Sequence, residues 1–413
     1  MEADAVNFLD ADFGSRDSFF MGQNSVGTAR PNPRFQGDLC AVSFPSRASS
    51  VGSLAFMLNL GSLKISLPAV QAALSGFSDR PMRMVSRRFG ADFAMAEVVL
   101  DDHVVLKGKL RDRVFAIGAD DHPIGGQLLG SRPEQLAEAA NDLVEGGYDL
   151  VDINFGCPVK KVLGRCRGGY LLSEPVNALA IVKAVISSVS GRRPVTLKMR
   201  RGFDDSVESE RAFFSILDGA FASGVASVTV HGRTVEQRYI GPSNWDFLAR
   251  VKRHVGSCTI LGSGDLFTAE DVHRMMNETG VNGASVARGA IGNPFIFREC
   301  RALFEDRQIS PPSMAEQRDA VEFQMAESLA NYDHDYAGRI FRKFGISYAD
   351  LHPMRTAVRQ AFIDARTTED VLDVLATWYD ATREWPDVKQ RETVSDLIAA
   401  GAERKADSPR SVQ

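Results

Sequence analysis

From Lys64 onward the chain alternates between short apolar runs and longer amphipathic stretches. The runs are rich in β-branched and small residues: KISLPAVQAA (64–73), FAMAEVV (93–99), PIGGQLLG (123–130), DLVDINFG (149–156), PVTLKMR (194–200), ASVTVHG (226–232), CTILGSG (258–264) and GASVARG (283–289). Between several of them apolar residues recur at i, i+3, i+4 and i+7, as in PEQLAEAANDLVEGG (133–147), NALAIVKAVISSV (177–189) and AEDVHRMMNETG (269–280). That spacing places one apolar face along a helix. Eight strand-like runs, each followed by a helix, predict an α/β fold, a parallel (β/α)8 TIM barrel. A doubly wound sheet competes, but eight β/α units within about 240 residues is barrel size.

After about residue 310 the strand-like runs stop. AEQRDAVEFQMAESLANY (315–332), YAGRIFRKFGISYADL (336–351), MRTAVRQAFIDA (354–365) and TTEDVLDVLATWYDAT (367–382) all read as helices. The predicted organisation is a barrel over 57–308, a C-terminal all-helical domain over 309–400 and a disordered tail over 401–413. Residues 1–56 carry Ser, Gly, Asn, Asp and Pro without any period, so they are expected to be disordered or an over-extended start, with Met57 as the alternative.

Charge narrows the partners. The net charge is −5, so a nucleic acid would have to be held by a local basic surface rather than by the field of the whole chain. One candidate is 338–360, where Arg339, Arg342, Lys343, Arg355 and Arg359 face a single acid, Asp350, with Phe341, Phe344 and Tyr348 interleaved. The plainer reading is a solvated helix face. Five scattered cysteines, none in a C-x-x-C pair, argue against a disulfide framework and structural zinc. No metal is expected. No uncharged apolar run of about 18 residues and no basic-then-apolar leader occurs, so a cytoplasmic protein without a membrane span is expected.

Candidate chemistry collects where the strand-like runs end: Gln127, Asn154, Cys157, Lys198, Arg200, His231, Gly264 and Arg288. In a barrel that is the catalytic face. The turns LGSGDL (261–266) and VARGAIGNP (286–294) follow the seventh and eighth runs, where glycines let backbone N–H groups approach a phosphate. No G-x-G-x-x-G follows an early strand, so a phosphate-bearing cofactor inside the barrel, such as FMN, is the natural candidate. Lys198 and His231 could face the electron-rich edge of a reduced flavin; alternatively Lys198 pairs with a strand-end acid such as Glu97. Cys157 reads three ways, as a structural thiol, a nucleophile or a general acid. No His–Asp pair stands beside it in sequence, and a thiol near its free pKa keeps its proton at pH 7. The loop after it, PVKKVLGRCRGG (158–169), offers Lys160, Lys161, Arg165 and Arg167 with no acid, which suits an anionic polymer or a phosphate.

The segments DINFGCPVKKVLGRCRGGYLL (152–172), TLKMRRG (196–202), TVHGRTVEQRYIGPSNW (229–245) and ASVARGAIGNPFIF (284–297) resemble the tRNA-dihydrouridine synthases. So do SGFSDRPMR (75–83) and GGQLLG (125–130), and the likeness spans about 64–305. The resemblance implies an FMN barrel that reduces the C5=C6 bond of particular uridines in tRNA, with NADPH or NADH as reductant. It implies Cys157 as the general acid that protonates C5, and Gln127, Lys198 and His231 around the flavin ring. Ser263, Gly264, Asp265, Ala287 and Arg288 would hold the phosphate end. Asn154 would lie beside flavin and target base, and Arg233 among the substrate contacts with the basic loop and basic helices. Two departures stand out. The family's APM-x-G turn is AALSG at 72–76, leaving backbone contacts from Ala73, Leu74 and Ser75, and its frequent NGD turn is SGD at 263–265. The partner implied is tRNA, and a monomer is expected. Alternatives are an FMN barrel acting on a free small molecule, like dihydroorotate dehydrogenases, and a non-catalytic RNA-binding relative. One expectation is directly structural: Lys160 and Lys161 should face RNA rather than the sulfur of Cys157.

Overall fold

In a computed structural model of the chain, residues 57–105, 109–380, 382–388, 391 and 393 are described, and they fall within one unit, Phe56–Gln413. The expectations placed on 1–56 and 401–413 lie outside the described residues.

Strands β1 (Leu58–Leu60) and β2 (Leu63–Ile65) form an antiparallel hairpin, with Leu58 opposite Ile65. Eight parallel strands then close into a barrel: β3 (Ala69–Gln71), β4 (Ala94–Leu100), β5 (Ile124–Leu129), β6 (Leu150–Phe155), β7 (Val195–Arg200), β8 (Ser227–His231), β9 (Thr259–Ser263) and β10 (Gly283–Val286), which returns to β3. The predicted barrel is present, with one correction at its start. The run 64–73 is two strands, not one. Lys64 and Ile65 belong to the hairpin, and only Ala69–Gln71 enters the barrel. Pro68 sits at the break. It has no N–H to give a ladder, while its carbonyl accepts from Ala284 N at 2.7 Å.

Side-chain alternation sorts the core into two. Every residue of β6 is buried, because helices cover the outside and the barrel packs within. Val151, Ile153 and Phe155 join the shell under the helices. Leu150 points inward, with Val70, Phe93, Met95, Leu261 and the hairpin residues Leu58, Leu60 and Ile65. The hairpin therefore plugs the N-terminal end of the barrel. At its turn Gly61 has φ +63, and a Cβ there would lie 2.9 Å from Cβ of Pro194 at the foot of β7, so only glycine fits.

Toward the other end the inward rows turn polar. Asp152, Thr196, Lys198, Ser227 and Thr229 line one interior cavity above the plug, together with Gln127 and Ala73. By the two-residue period the next inward positions are Asn154, Arg200 and His231. A barrel that is dry at one end and polar at the other is built to hold something at the polar end.

The outer helices follow the apolar spacing. Pro133–Glu145 starts with proline at N1 and buries Leu136, Ala139, Ala140 and Leu143. Ala269–Thr279 opens with a reciprocal capping box between Thr268 and Asp271. After Ile296–Phe304 the helices Met314–Asn331, His334–Tyr348, Arg355–Asp364 and Thr368–Trp378 follow, two of them with capping boxes of their own. They pack back on the barrel: Arg88 pairs with Asp319 at 2.6 Å, and a Cβ at Gly292 would meet the backbone of Ser347 at 2.5 Å. Among the described residues no helix is long and apolar enough to cross a membrane, and no His, Cys, Asp and Glu cluster is arranged to hold a metal ion.

Candidate active site

A chain of hydrogen bonds rises through the barrel interior. Thr196 Oγ1 donates to Asp152 Oδ1 at 2.5 Å, and Gln127 Nε2 donates to Asp152 Oδ2 at 2.6 Å. Asn154 Nδ2 then donates to Gln127 Oε1 at 2.6 Å. The oxygen of the same Asn154 amide accepts from the N–H groups of Gly156 and Cys157 at 2.9 and 3.0 Å. Both ends of the Gln127 and Asn154 amides are thus committed, which fixes their orientation. Burial pushes the Asp152 carboxyl up to about 6, against its bonds from Thr196 and Gln127 and the attraction of Lys198. Burial lowers Lys198 to about 8, with Arg200 adding to the effect and Asp152 opposing it.

The same chain positions Cys157 at the end of β6. Gly169 N donates to its carbonyl at 3.0 Å, and Gly168, at φ +60, leaves room for it: a Cβ there would lie 2.9 Å from Cβ of Cys157. Burial holds the thiol above the ordinary cysteine value. A backbone bond from Val159 and the charges of Arg200 and Lys198 oppose this without winning. The thiol therefore stays protonated at neutral pH. The cations that act on the sulfur are Arg200 and Lys198, while Lys160 and Lys161 are exposed on the loop beyond.

A cationic group surrounds the end of β8. His231 is buried, and burial together with Arg200, Lys198, Arg233 and Arg288 holds its pKa well below the usual value, so the imidazole is neutral. Arg233 Nη2 donates to both oxygens of Asp265, at 2.7 and 2.8 Å, and Arg288 lies 3.9 Å from the same carboxylate. Ser243 N also donates to Asp265 at 2.7 Å. The Asp265 carboxylate is therefore taken up in holding two arginines, and only its backbone suits an anion. Gly264 before it has φ +109, and a Cβ there would meet Ser243 Oγ at 2.4 Å and the His231 ring at 2.5 Å. The cations Lys198, Arg200, Arg233 and Arg288 outnumber the carboxylates Asp152 and Asp265, which leaves a net positive, buried site, a donor set that an anionic, phosphate-bearing ligand fits.

Residues 70–384 match the family described as Dihydrouridine synthase (Dus). The chain belongs to the dihydrouridine synthase family. It is 32% identical over 326 residues to tRNA-dihydrouridine synthase B of Xanthomonas campestris pv. campestris, covering 78% of this chain and 96% of that protein. It is 31% identical over 326 residues to tRNA-dihydrouridine synthase B of Xanthomonas axonopodis pv. citri, again covering 78% and 96%. Among solved structures, histamine dehydrogenase from Rhizobium sp. 4-9 shares the fold, with a TM-score of 0.50 and 14% identity over 67% of this chain and 51% of that one.

In this dihydrouridine synthase, several residues picked out by sequence come together and others do not. Gln127, Asn154, Cys157, Lys198, His231 and the turn Ser263–Gly264–Asp265 converge on the polar end of the barrel. Ala73 lines the same cavity, and Leu74 and Ser75 lie on the loop beyond it. Ser263 Oγ faces β10, donating to Ser285 O at 3.3 Å. Arg288 lies over the ring of Tyr239 at 4.6 Å and follows Ala287 at the end of β10. Arg165 is exposed with the two lysines, but Arg167 is buried and its guanidinium reaches Asp102 at 2.7 Å and Asp101 at 3.3 Å. Its charge anchors the loop. Arg339 and Arg355 are exposed, whereas Arg342 and Arg359 are half-buried and donate to the carbonyls of Ala365 and Ile346 at 3.2 and 3.4 Å. Asp152 was missed altogether. An acid on an all-buried strand, two positions before Asn154 and so on the same face, was the signal available.

Proposed function

We propose that this dihydrouridine synthase reduces the C5=C6 bond of specific uridines in tRNA to 5,6-dihydrouridine, with FMN as its flavin and NADPH or NADH as the source of electrons. What carries the reading, beside family membership, is a thiol kept protonated by burial at the rim of a cationic pit. In the proposed arrangement the backbone of Ala73, Leu74 and Ser75 backs the cofactor. Gln127, Lys198 and His231 line its ring system, and Ser263, Gly264, the backbone of Asp265, Ala287 and Arg288 hold its phosphate. Bound reduced FMN supplies the hydride that goes to C6 of the uracil.

The chain's own residues do the rest. Addition at C6 puts enolate charge on C4–C5, and a proton must reach C5 as it builds. Cys157 holds that proton, and the Asn154 amide fixes the backbone that carries the sulfur. Arg200, whose Nε donates to Gly156 O at 2.8 Å, stabilises the thiolate left behind. Arg233 is among the proposed substrate contacts, oriented by Asp265 and the carbonyl of Gly241. A uridine must leave its stack to enter the pit, so the surrounding surface has to grip RNA. Lys160, Lys161 and Arg165 near the mouth, and Arg339 and Arg355 on the helices, supply phosphate contacts, with Arg167 bracing the loop and Arg342 and Arg359 tied to the carbonyls of Ala365 and Ile346. Such a substrate fits a cytoplasmic protein.

The test is direct. Purified protein, unmodified tRNA and NADPH should yield dihydrouridine by mass spectrometry. Cys157→Ala should keep its flavin absorbance yet turn over about 10²–10⁴ times more slowly. Turnover at the wild-type rate in that variant would remove Cys157 from the proton-donor role.

A further inference from the structure

The loop between β3 and the helix Arg80–Arg88 is held from two sides. On the barrel side, Gly76 N donates to Glu97 Oε1 at 2.6 Å. The other contacts come from the C-terminal helices. Lys343 Nζ donates to the carbonyl of the same Gly76 and lies over the rings of Phe77 and Phe344 at 4.8 and 5.2 Å. Those two rings meet edge to face at 5.7 Å. Tyr332 OH donates to Asp79 Oδ2 at 2.8 Å, and Arg80 reaches Glu327 at 3.7 Å. Asp79 is buried and also caps the helix that follows, accepting from Met82 N at 3.1 Å. Its neighbours include one ammonium, Lys343, and a second carboxylate, Glu97. Removing the ammonium would leave two acids facing each other at this junction.

Gly76 has φ +75 and nothing within 4 Å of where a Cβ would stand, so at this residue the loop is held through its backbone N–H and carbonyl. Three residues earlier the same loop presents Ala73 to the cavity that Gln127 and Lys198 line. The position of that wall is thus set by residues more than 250 positions away in the chain.

We infer that the C-terminal helices clasp the cofactor-side loop, and that Lys343 and Tyr332 are positioning residues for flavin binding. This rests on the proposed function in taking the cavity to be the flavin site. It also moves Lys343 out of the set of RNA contacts: its ammonium is directed at Gly76 and two aromatic rings.

The experiment measures FMN affinity of the full-length protein after flavin removal, by quenching of flavin fluorescence, beside apo-protein melting and tRNA affinity. Lys343→Met keeps the side-chain length against Phe77 and Phe344 but loses the charge and the donor. Its FMN Kd should rise about tenfold, measured well below the melting transition of its apo-protein. Lys343→Arg, which can still reach a carbonyl and stack on rings, should recover most of that loss. Tyr332→Phe deletes one hydroxyl and should weaken FMN in the same direction, which guards against a misfolded Lys343 variant. Unchanged FMN affinity in both Lys343→Met and Tyr332→Phe overturns the clasp. So does a Lys343→Met protein that binds FMN normally but tRNA more weakly and with a shallower salt dependence, the mark of a phosphate contact. A wild-type protein that takes up no flavin overturns the functional reading and the clasp together, which separates the two failures.

Discussion

Cys157 and Asp152 lie on the same strand-to-loop segment and are both held protonated more strongly than usual by burial, with opposite uses. For Cys157 the retained proton is the one the proposed reaction would deliver to C5. For Asp152, at about 6, the carboxyl is ionised at neutral pH, where it is the carboxylate that favours the charged form of Lys198. Its linkage to folding has a definite sign. A carboxyl raised in the fold binds its proton more tightly there, so this group's contribution to stability is fullest at low pH and declines as pH rises from about 4 towards 6. Asp152→Asn removes the opposing charge, and Lys198 should lose its proton below its present value of about 8. The alkaline limb of a kcat/KM profile between pH 6 and 9 should then move down by about one unit. An unmoved limb would mean that Asp152 serves only as a hydrogen-bond acceptor. Gly264→Ala should fail differently: the residue would be strained at φ +109 and would collide with the His231 ring, costing about 2–4 kcal/mol in denaturant and weakening flavin uptake. Much of this constellation was legible because a barrel sends one chemically marked residue to the mouth per strand. Asp152 was not, because it lies inside the strand and not at its end, where the chemistry was sought. Arg167 was not either: its loop shows four cations and no acid, and its partners Asp101 and Asp102 are 65 and more positions upstream.

Among the elements, the (β/α)8 order was legible from period alone, since each parallel strand is buried on both faces and each outer helix on one. The hairpin was not. LNLGSLKI (58–65) has the two-residue turn and the alternation, but its second half merges in sequence with the first barrel strand, and only Pro68 marks the boundary. The hairpin carries weight beyond closing one end. Leu60 is buried and lines the interior cavity, so Leu60→Ala should open space directly beneath the polar site. A loss of about 2–4 kcal/mol in chemical denaturation is expected. Flavin binding should weaken alongside, while an exposed control such as Val176→Ala, far out on the surface at 86% exposure, should change neither.

For the whole molecule, a net charge of −5 means that affinity for tRNA has to come from local clusters. Binding should weaken steeply with salt, and substituting Lys160 and Lys161 together should lower the slope of log Kd against log salt by about 1–2. Truncation before Met314 should cost both tRNA and flavin affinity, since the removed helices include the residues that hold the loop at Gly76. The plugged end of the barrel bears on the order of events in turnover. A pit stoppered by Leu58, Leu60 and Ile65 is closed at the N-terminal end of the barrel. Under the proposed function nicotinamide and uracil both reach the flavin from the open end, so one is expected to depart before the other arrives. Initial-rate plots against NADPH at several fixed tRNA concentrations should therefore give parallel lines, the pattern of a double-displacement enzyme, and oxidised nucleotide should compete with tRNA rather than with a distant site.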